Sequence, residues 1–283
     1  MVKTKRTIHT SIITRVLGSI EARMSQPWFN PLRTVYFNFR TLPFRQAIKF
    51  PVYIYGRVRF FMLNGRVRFE NTPIKRGMVK IGINGDSFSL FDHTGYIQLS
   101  SLDSEIIFEG PCRIALNAKI RVTMGTLRFG EYVRIGTDTK VICNGGKISI
   151  GAFSGITFGC TIMNSSFHYT YDIQQQGYCN RTSIIELGKR NWIGNQTTIL
   201  GKTKTKDDTI VGTGSLLNKD YTKYPEEYPL LGGRPAKVVR EGIKRVFSPH
   251  TEMQVTSLFK DSKASFVVSP EIFDDVTNII IEM

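Results

Sequence analysis

The stretch IELGKRNWIGNQTTILGKTKTKDDTIVGTGSLLNKD, residues 185–220, places its aliphatic side chains six residues apart. The positions that keep this spacing are Leu187, Ile193, Ile199, Val211 and Leu217, and Thr205 fills the one remaining slot. Three of these aliphatics are followed directly by a glycine, namely Gly188, Gly194 and Gly212. An amphipathic helix repeats every 3.6 residues and a strand every two, so neither element accounts for this segment.

A period of six suits a chain wound into triangular coils, with one aliphatic side chain per side pointing inward and a small residue near each corner. Three such hexads close one coil, and successive coils then pair as parallel strands about 4.8 Å apart. A unit of this kind acquires a core only by stacking on its neighbours. The spacing therefore predicts a parallel β-helix. The alternative is a set of ordinary short strands whose spacing is accidental.

An earlier block, residues 129–163, keeps the same step. Its repeating pairs are Phe129-Gly130, Ile135-Gly136, Ile150-Gly151, Ile156-Thr157 and Ile162-Met163, with Val141 alone between them. The letters NGGK, residues 144–147, interrupt the repeat. They predict a wider corner, because glycine adopts positive φ at little steric cost. Repetition is then lost from residue 164 to 184, and we predict that this polar segment leaves the coil as a loop.

The overall charge limits the classes of partner. The formal net charge of +15 and a pI near 9.8 indicate an acidic partner, which could be nucleic acid, an anionic membrane surface or phosphorylated small molecules. The chain has no zinc-finger spacing, RNA-binding aromatic signature or long basic run, which disfavours nucleic acid. Its four cysteines include no C-x-x-C pair, which favours a reducing compartment. With no convincing signal peptide and no apolar run long enough to span a bilayer, we expect a cytoplasmic protein.

The two ends of the chain differ from the repeat region, so we divide it into residues 1–52, 53–240 and 241–283. In the first part, Ile8, Ile12, Val16 and Ile20 form one apolar helical stripe among basic residues, and an aromatic-rich stretch broken by prolines follows. Such a segment can cap the first coil or lie on the inner face of an anionic membrane as a peripheral contact. These two roles are compatible. Residues 246–283 suggest a strand or a trimer-clasping arm.

The end of the repeat region resembles a known family. In residues 191–240 the motifs WIG, IVGTGS, NKD and GGRPAKVVR stand in the order and spacing of the hexapeptide-repeat acyltransferases. The letters KTKTKDD, residues 202–208, replace the family's usual Pro-Gly turn and Ile-Gly pair. Residues 30–51 are also similar to the leaders of bacterial polysaccharide-cluster acetyltransferases. The resemblance implies an all-β fold, a left-handed β-helix that assembles as a homotrimer and uses acetyl-CoA, with no metal.

The resemblance also implies a catalytic base. His168 lies six residues after Ile162, where members of this family place the catalytic histidine before their loop. Imidazole changes its charge state near neutral pH and suits the deprotonation of an acceptor hydroxyl. The alternative is an exposed loop histidine without a role. Asp172 or a backbone carbonyl could orient the imidazole, and Asn164 and Ser166 could hydrogen-bond an acceptor sugar.

The remaining site residues follow from the same resemblance. It assigns the oxyanion donor to the backbone N–H of Asn195, and it places Trp192 beside the acceptor or CoA pocket, although a purely structural tryptophan is equally consistent. Thr213 would contribute a backbone contact to CoA, and Asn218 and Lys219 would border it. The cations near its nucleotide end would be Lys237 and Arg240, and charge adds Arg234.

These features predict an acetyl-CoA-dependent O-acetyltransferase acting on a carbohydrate, lipid-linked or polymeric, in bacterial capsule or O-antigen synthesis. N-acetyl transfer to an amino sugar is the nearest alternative, and a non-catalytic trimeric scaffold is another. A γ-type carbonic anhydrase would need three clustered histidines around zinc, and the recognisable coils contain only His168.

Overall fold

Apart from a two-stranded hairpin within residues 164–183, the strands of residues 52–240 fall into three sheets, one for each side of a triangular coil. The computed structural model describes residues 27–84, 94–260 and 265–266. The predicted apolar stripe of residues 8–20, together with His9 and His93, lies outside these residues. The chain divides into two units, residues 1–242 and 243–283, which are described separately.

Each sheet forms one face of the first unit, and its neighbouring strands come from successive coils, except for the closing pair Leu230–Gly233 and Ala236–Arg240. Face A contains β1 (Val52–Ile54), β4 (Val79–Ile83), β7 (Cys112–Ala115), β10 (Val133–Ile135), β13 (Gly155–Ile156), β18 (Trp192–Ile193), β20 (Ile210–Val211), β22 (Leu230–Gly233) and β23 (Ala236–Arg240). Face B contains β2 (Val58–Leu63), β5 (Gly95–Leu99), β8 (Lys119–Thr123), β11 (Lys140–Asn144), β14 (Thr161–Met163), β19 (Thr198–Leu200) and β21 (Leu216–Leu217). Face C contains β3 (Arg66–Phe69), β6 (Glu105–Phe108), β9 (Thr126–Phe129), β12 (Lys147–Ile150) and β17 (Ile184–Leu187).

The strand register confirms the predicted β-helix. Ile193 pairs in parallel with Val211, 18 residues later, so one coil in this region spans three hexads. Earlier coils are longer, since Ile135 pairs with Ile156, 21 residues later. The three extra residues lie in the corner between faces B and C, where Gly145 and Gly146 adopt φ values of 67° and 59°. The wider corner predicted from the NGGK letters is therefore present.

The inward column of side chains is continuous through the slot that lacks an aliphatic. Thr205 is buried at this slot. Its hydroxyl donates to the Oδ1 of Asn191 at 2.6 Å and accepts from the backbone N–H of Gly188 at 3.1 Å. Because both hydrogen bonds stay inside the coil, the polar residue fills an apolar position without an unpaired group. The KTKTKDD letters thus leave the coil intact.

The glycines of the repeat are required by the close stacking of the coils. A Cβ at Gly194 would lie 2.6 Å from the carbonyl oxygen of Val211 and 2.7 Å from the backbone nitrogen of Thr213. Real side chains do not approach backbone atoms so closely. The small residue predicted near each corner is therefore needed to let the next coil approach.

The N-terminal end of the first unit is closed by two helices, α1 (Pro31–Thr41) and α2 (Phe44–Ala47). The side chain of Asn30 caps α1 by accepting from the backbone N–H of Arg33 at 3.1 Å, and Pro31 begins the helix. Sequence reasoning did not predict this helix, although the Asn-Pro pair is a recognised start signal.

Side chains on the inner face of α1 form hydrogen bonds with the backbone N–H and C=O groups at the open edge of strand β1. The Asn38 side chain donates to the carbonyl oxygen of Val52 at 2.7 Å and accepts from its N–H at 3.2 Å. The hydroxyl of Thr34 accepts from the N–H of Ile54 at 3.0 Å. A sheet edge exposes such groups unless something covers it, so the described part of residues 1–52 does cap the first coil.

The C-terminal end of the coils is closed by the antiparallel hairpin of β22 and β23. Tyr221 is buried beneath it and donates from its hydroxyl to the carbonyl oxygen of Ala236 at 3.3 Å. In the described part of the chain, no helix has the length and apolar character needed to cross a membrane.

The second unit contains α3 (Pro249–Phe259), which begins after the N-cap residue Ser248. We predicted a strand or a trimer-clasping arm for residues 246–283, and the structure has a helix in place of the strand at residues 249–259, while the arm stays a prediction. The Ser248-Pro249 pair explains the difference, because serine caps and proline starts helices. The apolar letters VTNIII, residues 276–281, lie outside the described residues.

We expect Asn38→Ala to destabilise the protein by about 1–3 kcal/mol, because it leaves the buried N–H and C=O of Val52 unpaired. Urea denaturation would measure the loss, and amide hydrogen exchange at Val52 should accelerate. Asn64→Ala is the matched control, since the exposed Asn64 side chain makes only long hydrogen bonds of 3.3 and 3.4 Å. Equal effects of the two substitutions would contradict the capping role of Asn38.

Candidate functional site

The loop of residues 164–183 leaves the β-helix at the corner between faces B and C, which we call corner BC. We call the point where residues 164 and 183 leave and rejoin the coils the loop root, and the side chain of Asn164 fixes it. The buried Asn164 amide donates to the carbonyl oxygens of Gly145 at 2.7 Å and Ser183 at 2.9 Å, and it accepts from the N–H of Asn144 at 2.9 Å. The structure therefore gives Asn164 a structural task at the loop, and its predicted contact with an acceptor sugar stays a prediction.

The coils on either side of the loop also fix its root. Ser183 donates from its N–H to the carbonyl oxygen of Asn164 at 3.0 Å, and from its hydroxyl to the same atom at 3.1 Å. In the following coil, a Cβ on Gly201 would lie 1.9 Å from the Ser183 hydroxyl. The loop therefore begins and ends at one point, held between Gly145 on one side and Gly201 on the other.

His168 lies in this loop, just before a short hairpin of β15 (Thr170–Asp172) and β16 (Gly177–Cys179). Its side chain is exposed, and its carbonyl oxygen accepts from the Ser166 hydroxyl at 2.9 Å. Ser166 therefore shapes the backbone that carries the imidazole. Its predicted contact with an acceptor stays a prediction.

Asp172 has a structural task in the hairpin. Its Oδ1 atom accepts from the backbone N–H groups of Gln174 and Gln175, both at 2.9 Å. Aspartate commonly stabilises turns in this way. The alternative role of Asp172, orienting the imidazole, stays a prediction.

Exposed aromatic side chains flank His168, and sequence reasoning missed them by treating the loop only as polar. Tyr171 and Tyr178 face each other across the hairpin with ring centroids 5.1 Å apart. The guanidinium of Arg181 lies 4.9 Å from the ring centroid of Tyr169. The alternating letters FHYTY, residues 167–171, were the available signal, because alternation places aromatic side chains on one side of a strand.

A second group of predicted residues lies at the corner between faces A and B, which we call corner AB. Asn195 and Thr213 occupy this corner in successive coils, and the carbonyl oxygen of Asn195 accepts from the N–H of Gly214 at 2.8 Å. The guanidinium of Arg234 donates to the carbonyl oxygen of Gly214 at 3.2 Å. The structure therefore brings Asn195, Thr213 and Arg234 together on one edge of the β-helix.

Corner AB presents backbone N–H groups that have no partner in the coil. Within residues 27–84 and 94–260, the N–H groups of Asn195 and Thr213 donate to no other atom. The same holds for Thr137 two coils before Asn195. This corner therefore offers a row of hydrogen-bond donors to a bound molecule.

The other predicted cofactor residues lie elsewhere. Asn218 and Lys219 stand at corner BC of the last coil, where the carbonyl oxygen of Lys219 accepts from the N–H of Lys204 at 3.2 Å. The ammonium of Lys219 lies 2.6 Å from the hydroxyl of Tyr224, and this hydrogen bond raises the pKa of Lys219.

Lys237 and Arg240 are exposed on β23, opposite Gly232 and Leu230 of the closing hairpin. Trp192 is partly exposed on face A, where Gly155 and Ile210 are its neighbours in the sheet. These three residues therefore lie away from corner BC, which carries His168.

The cysteines divide into buried and exposed groups. Burial raises the pKa of Cys143 to about 12 and that of Cys160 to about 11, and it raises the pKa of Cys112 further. Their thiolates are scarce at neutral pH, which disfavours a nucleophilic role. Cys179 is exposed in β16. Among the residues that the structure describes, no three His, Cys, Asp or Glu side chains are grouped so as to hold a metal ion.

Several solved structures are similar to this chain. The polysialic-acid-specific acetyltransferase NeuO matches 75% of this chain and 94% of its own, with a TM-score of 0.51 and 17% identity. The polysialic acid O-acetyltransferase OatWY matches 72% of this chain and 98% of its own, with a TM-score of 0.38 and 18% identity. AntD, an N-acyltransferase from Bacillus cereus solved with dTDP and coenzyme A, matches 74% and 88%, with a TM-score of 0.40 and 14% identity.

No family model and no curated protein sequence matches this chain. At these identities the comparison with NeuO establishes the fold alone, which is the predicted left-handed parallel β-helix.

We expect Gly201→Ala to disturb the loop root, because the new methyl group would overlap the Ser183 hydroxyl. Overpacking of this kind typically costs about 1–3 kcal/mol. The matched control is Gly177→Ala within the hairpin, where the nearest atom to a new Cβ is 3.8 Å away. Denaturation midpoints would measure both, and proteolysis within residues 164–183 should accelerate only for Gly201→Ala. A stable, protease-resistant Gly201→Ala protein would contradict this picture of the root.

Proposed function

We propose that the protein is an acetyl-CoA-dependent O-acetyltransferase that modifies a carbohydrate hydroxyl, with His168 as its general base. The observation that carries the proposal is the placement of His168 in a loop whose two ends are fixed to the coils at Asn164 and Ser183. His168 is also the only histidine of the first unit among residues 27–84 and 94–242. A firmly rooted loop that presents an exposed imidazole suits a base that must meet a bound hydroxyl.

The reaction needs one proton acceptor and one oxyanion donor. The His168 imidazole takes the proton of the acceptor hydroxyl as its oxygen attacks the thioester carbonyl carbon. A tetrahedral intermediate forms, and its collapse breaks the C–S bond and returns the proton to the departing CoA sulfur. The unpaired N–H of Asn195 is suited to stabilise the negative oxygen of this intermediate.

The positions of these two groups support a homotrimer. His168 is rooted at corner BC and Asn195 lies at corner AB, so face B separates them within one chain. A neighbouring protomer that packs its corner AB against this loop would complete the site. Three copies related by a threefold axis would then form three equivalent sites, each from two protomers.

The anionic parts of CoA fit the basic residues at the C-terminal end of the coils. Arg234, Lys237 and Arg240 are exposed there, and Arg234 contacts the coil that carries Thr213. The row of N–H groups at corner AB supplies hydrogen bonds for the pantetheine arm. Lys219 lies at corner BC of the last coil. Phosphates prefer such clusters of cations.

The proposed setting is bacterial capsule or O-antigen synthesis in the cytoplasm, with a polymeric or lipid-linked sugar as acceptor. Exposed tyrosines beside His168 would offer flat apolar surfaces to sugar rings. CoA release measured with oligosaccharides and with amino sugars would separate O-acetyl from N-acetyl transfer, and a total lack of turnover would favour a scaffold.

We expect His168→Ala to lower kcat by about 10²–10⁴-fold, the usual contribution of general-base catalysis. Folding should be unchanged, because the side chain is exposed. The matched control is His250→Ala, which removes an exposed histidine of the second unit. Steady-state kinetics and thermal melts would measure both variants. Near-normal turnover by folded His168→Ala would refute the assignment.

Mixed trimers would test whether each site is shared between protomers. The first variant is His168→Ala, and the second combines Arg234→Ala with Lys237→Ala. The double variant should raise the KM for acetyl-CoA more than it lowers kcat. Co-expression with two different tags would isolate mixed trimers, with a mass three times the 32.1 kDa of one chain.

Each mixed trimer would contain one intact site, so we expect about one-third of wild-type activity at low acetyl-CoA. Lys189→Ala in place of the double variant is the control for the loss of an exposed cation. Activity no higher than the mean of the two parent variants, or a monomeric mass, would rule out shared sites.

A further inference from the structure

Helix α1 presents its polar residues to the protein and its apolar residues to solvent. Of its four buried residues, three are polar: Thr34, Asn38 and Thr41. The outward positions carry large apolar side chains, and Leu32 is 82% exposed. Soluble helices normally show the opposite arrangement. The buried polar side chains of α1 are explained by the edge of β1 that they cover. The exposed apolar side chains of α1 contact nothing in the described chain that explains them.

The exposed apolar side chains continue beyond α1. Trp28 before the helix is 60% exposed, and Phe44 in α2 is 70% exposed. We define the outer cap face as the residues Trp28, Leu32, Val35, Tyr36, Phe39, Phe44 and Ile48, all of which are exposed. The ring centroids of Phe39 and Phe44 lie 5.9 Å apart, so the exposed apolar side chains of the two helices adjoin. A group of exposed apolar side chains of this kind marks an interaction surface.

The part of the sequence that forms the cap is strongly basic. The sequence contains no Asp or Glu between Glu21 and Glu70. Residues 27–59 contain six cations, which are Arg33, Arg40, Arg45, Lys49, Arg57 and Arg59. The next two, Arg66 and Arg68 in β3, form ion pairs with Glu105 and Glu70. The partner of the outer cap face must therefore be anionic as well as apolar.

A groove beside α1 concentrates these properties. It has a volume of about 890 Å³, and its lining includes Trp28 and Tyr36 together with Arg33, Arg57 and Arg59. The Arg33 guanidinium donates to the carbonyl oxygen of Val58 and lies 5.9 Å from the ring centroid of Phe60, which fixes its position. Three arginines between aromatic rings suit a phosphate whose attached chains are apolar.

We propose that the outer cap face docks on an anionic phospholipid bilayer, with a lipid phosphate in the arginine groove. Tryptophan, phenylalanine and leucine enter the boundary between headgroups and acyl chains, while the flanking arginines remain at the phosphates. A second copy of the chain is a poor occupant, because pairing two such faces would bring two sets of six cations together.

The location of the face at one end of the coil stack fits this partner. Its helices cover the outer edge of β1, so the outer cap face points away from the coils. In the proposed trimer, the three caps would lie at the same end and could contact one surface together. The proposal itself rests on the cap alone and holds whether or not the protein transfers acetyl groups.

The test is sedimentation of the full chain with vesicles. Phosphatidylcholine vesicles containing about one-third phosphatidylglycerol should bind the protein, and pure phosphatidylcholine vesicles should bind it at least about tenfold more weakly. Raising the ionic strength from about 0.1 M to about 1 M should release it, because the Debye length falls from about 10 Å to about 3 Å. Leu32→Glu should lower the partition coefficient at least about tenfold, since it places a charge among the inserting side chains.

Leu102→Glu is the matched control, because Leu102 is 81% exposed on the coils and lies outside the cap. It adds the same charge and should leave vesicle binding unchanged. Thermal melts should show that both variants remain folded. Equal losses in the two variants, equal binding to neutral vesicles, or a fall in molecular mass on Leu32→Glu without lipid would each overturn the proposal.

Discussion

Direct contact between the backbones of successive coils is the constraint on which this structure depends. A Cβ at Gly130 would lie 2.4 Å from the backbone nitrogen of Ala152, and one at Gly151 would lie 2.5 Å from a backbone atom of Gly188. Each coil is therefore held at one height above the last, and the inward aliphatics stack into columns. Because the coils follow one another so closely, an inserted segment such as residues 164–183 has a fixed origin, and the two ends of the stack need separate covers.

The six-residue spacing in the sequence indicates these coils only where the strands of successive coils pair without irregularities. Residues 185–220 keep the period of six because each side of the coil there has the same length, and residues 129–163 keep it except at the three extra residues of corner BC. Residues 52–105 form the same coils, but their strands contain irregularities between Phe61 and Leu63 and between Ile81 and Ile83. Each irregularity shifts the inward position by one residue. The six-residue spacing of the aliphatic residues is therefore lost in the sequence, although the core continues.

The candidate site shows a different limit. The position of His168 followed from its distance to Ile162, and the structure places it in the inserted loop as expected. Asn164 was predicted as a sugar ligand because it is polar and near the loop, and the structure adds that its amide bonds three backbone groups in two segments, those of Asn144, Gly145 and Ser183. A sequence shows that a side chain is polar and does not show which atoms surround it. The two corners that separate His168 from Asn195 were equally hidden, since the spacing of residues along the chain does not show on which corner they fall.

The closed root of the inserted loop has a consequence for how this protein can diversify. Residues 164 and 183 are hydrogen-bonded to each other, so the loop takes the place of a short corner in the coil, whatever number of residues lies between them. The segment from 165 to 182 can therefore be lengthened, shortened or exchanged without a change in the height or register of any coil. Differences in length should be tolerated best in the hairpin of residues 170–179, because its exchange leaves both the closed root and His168 in place.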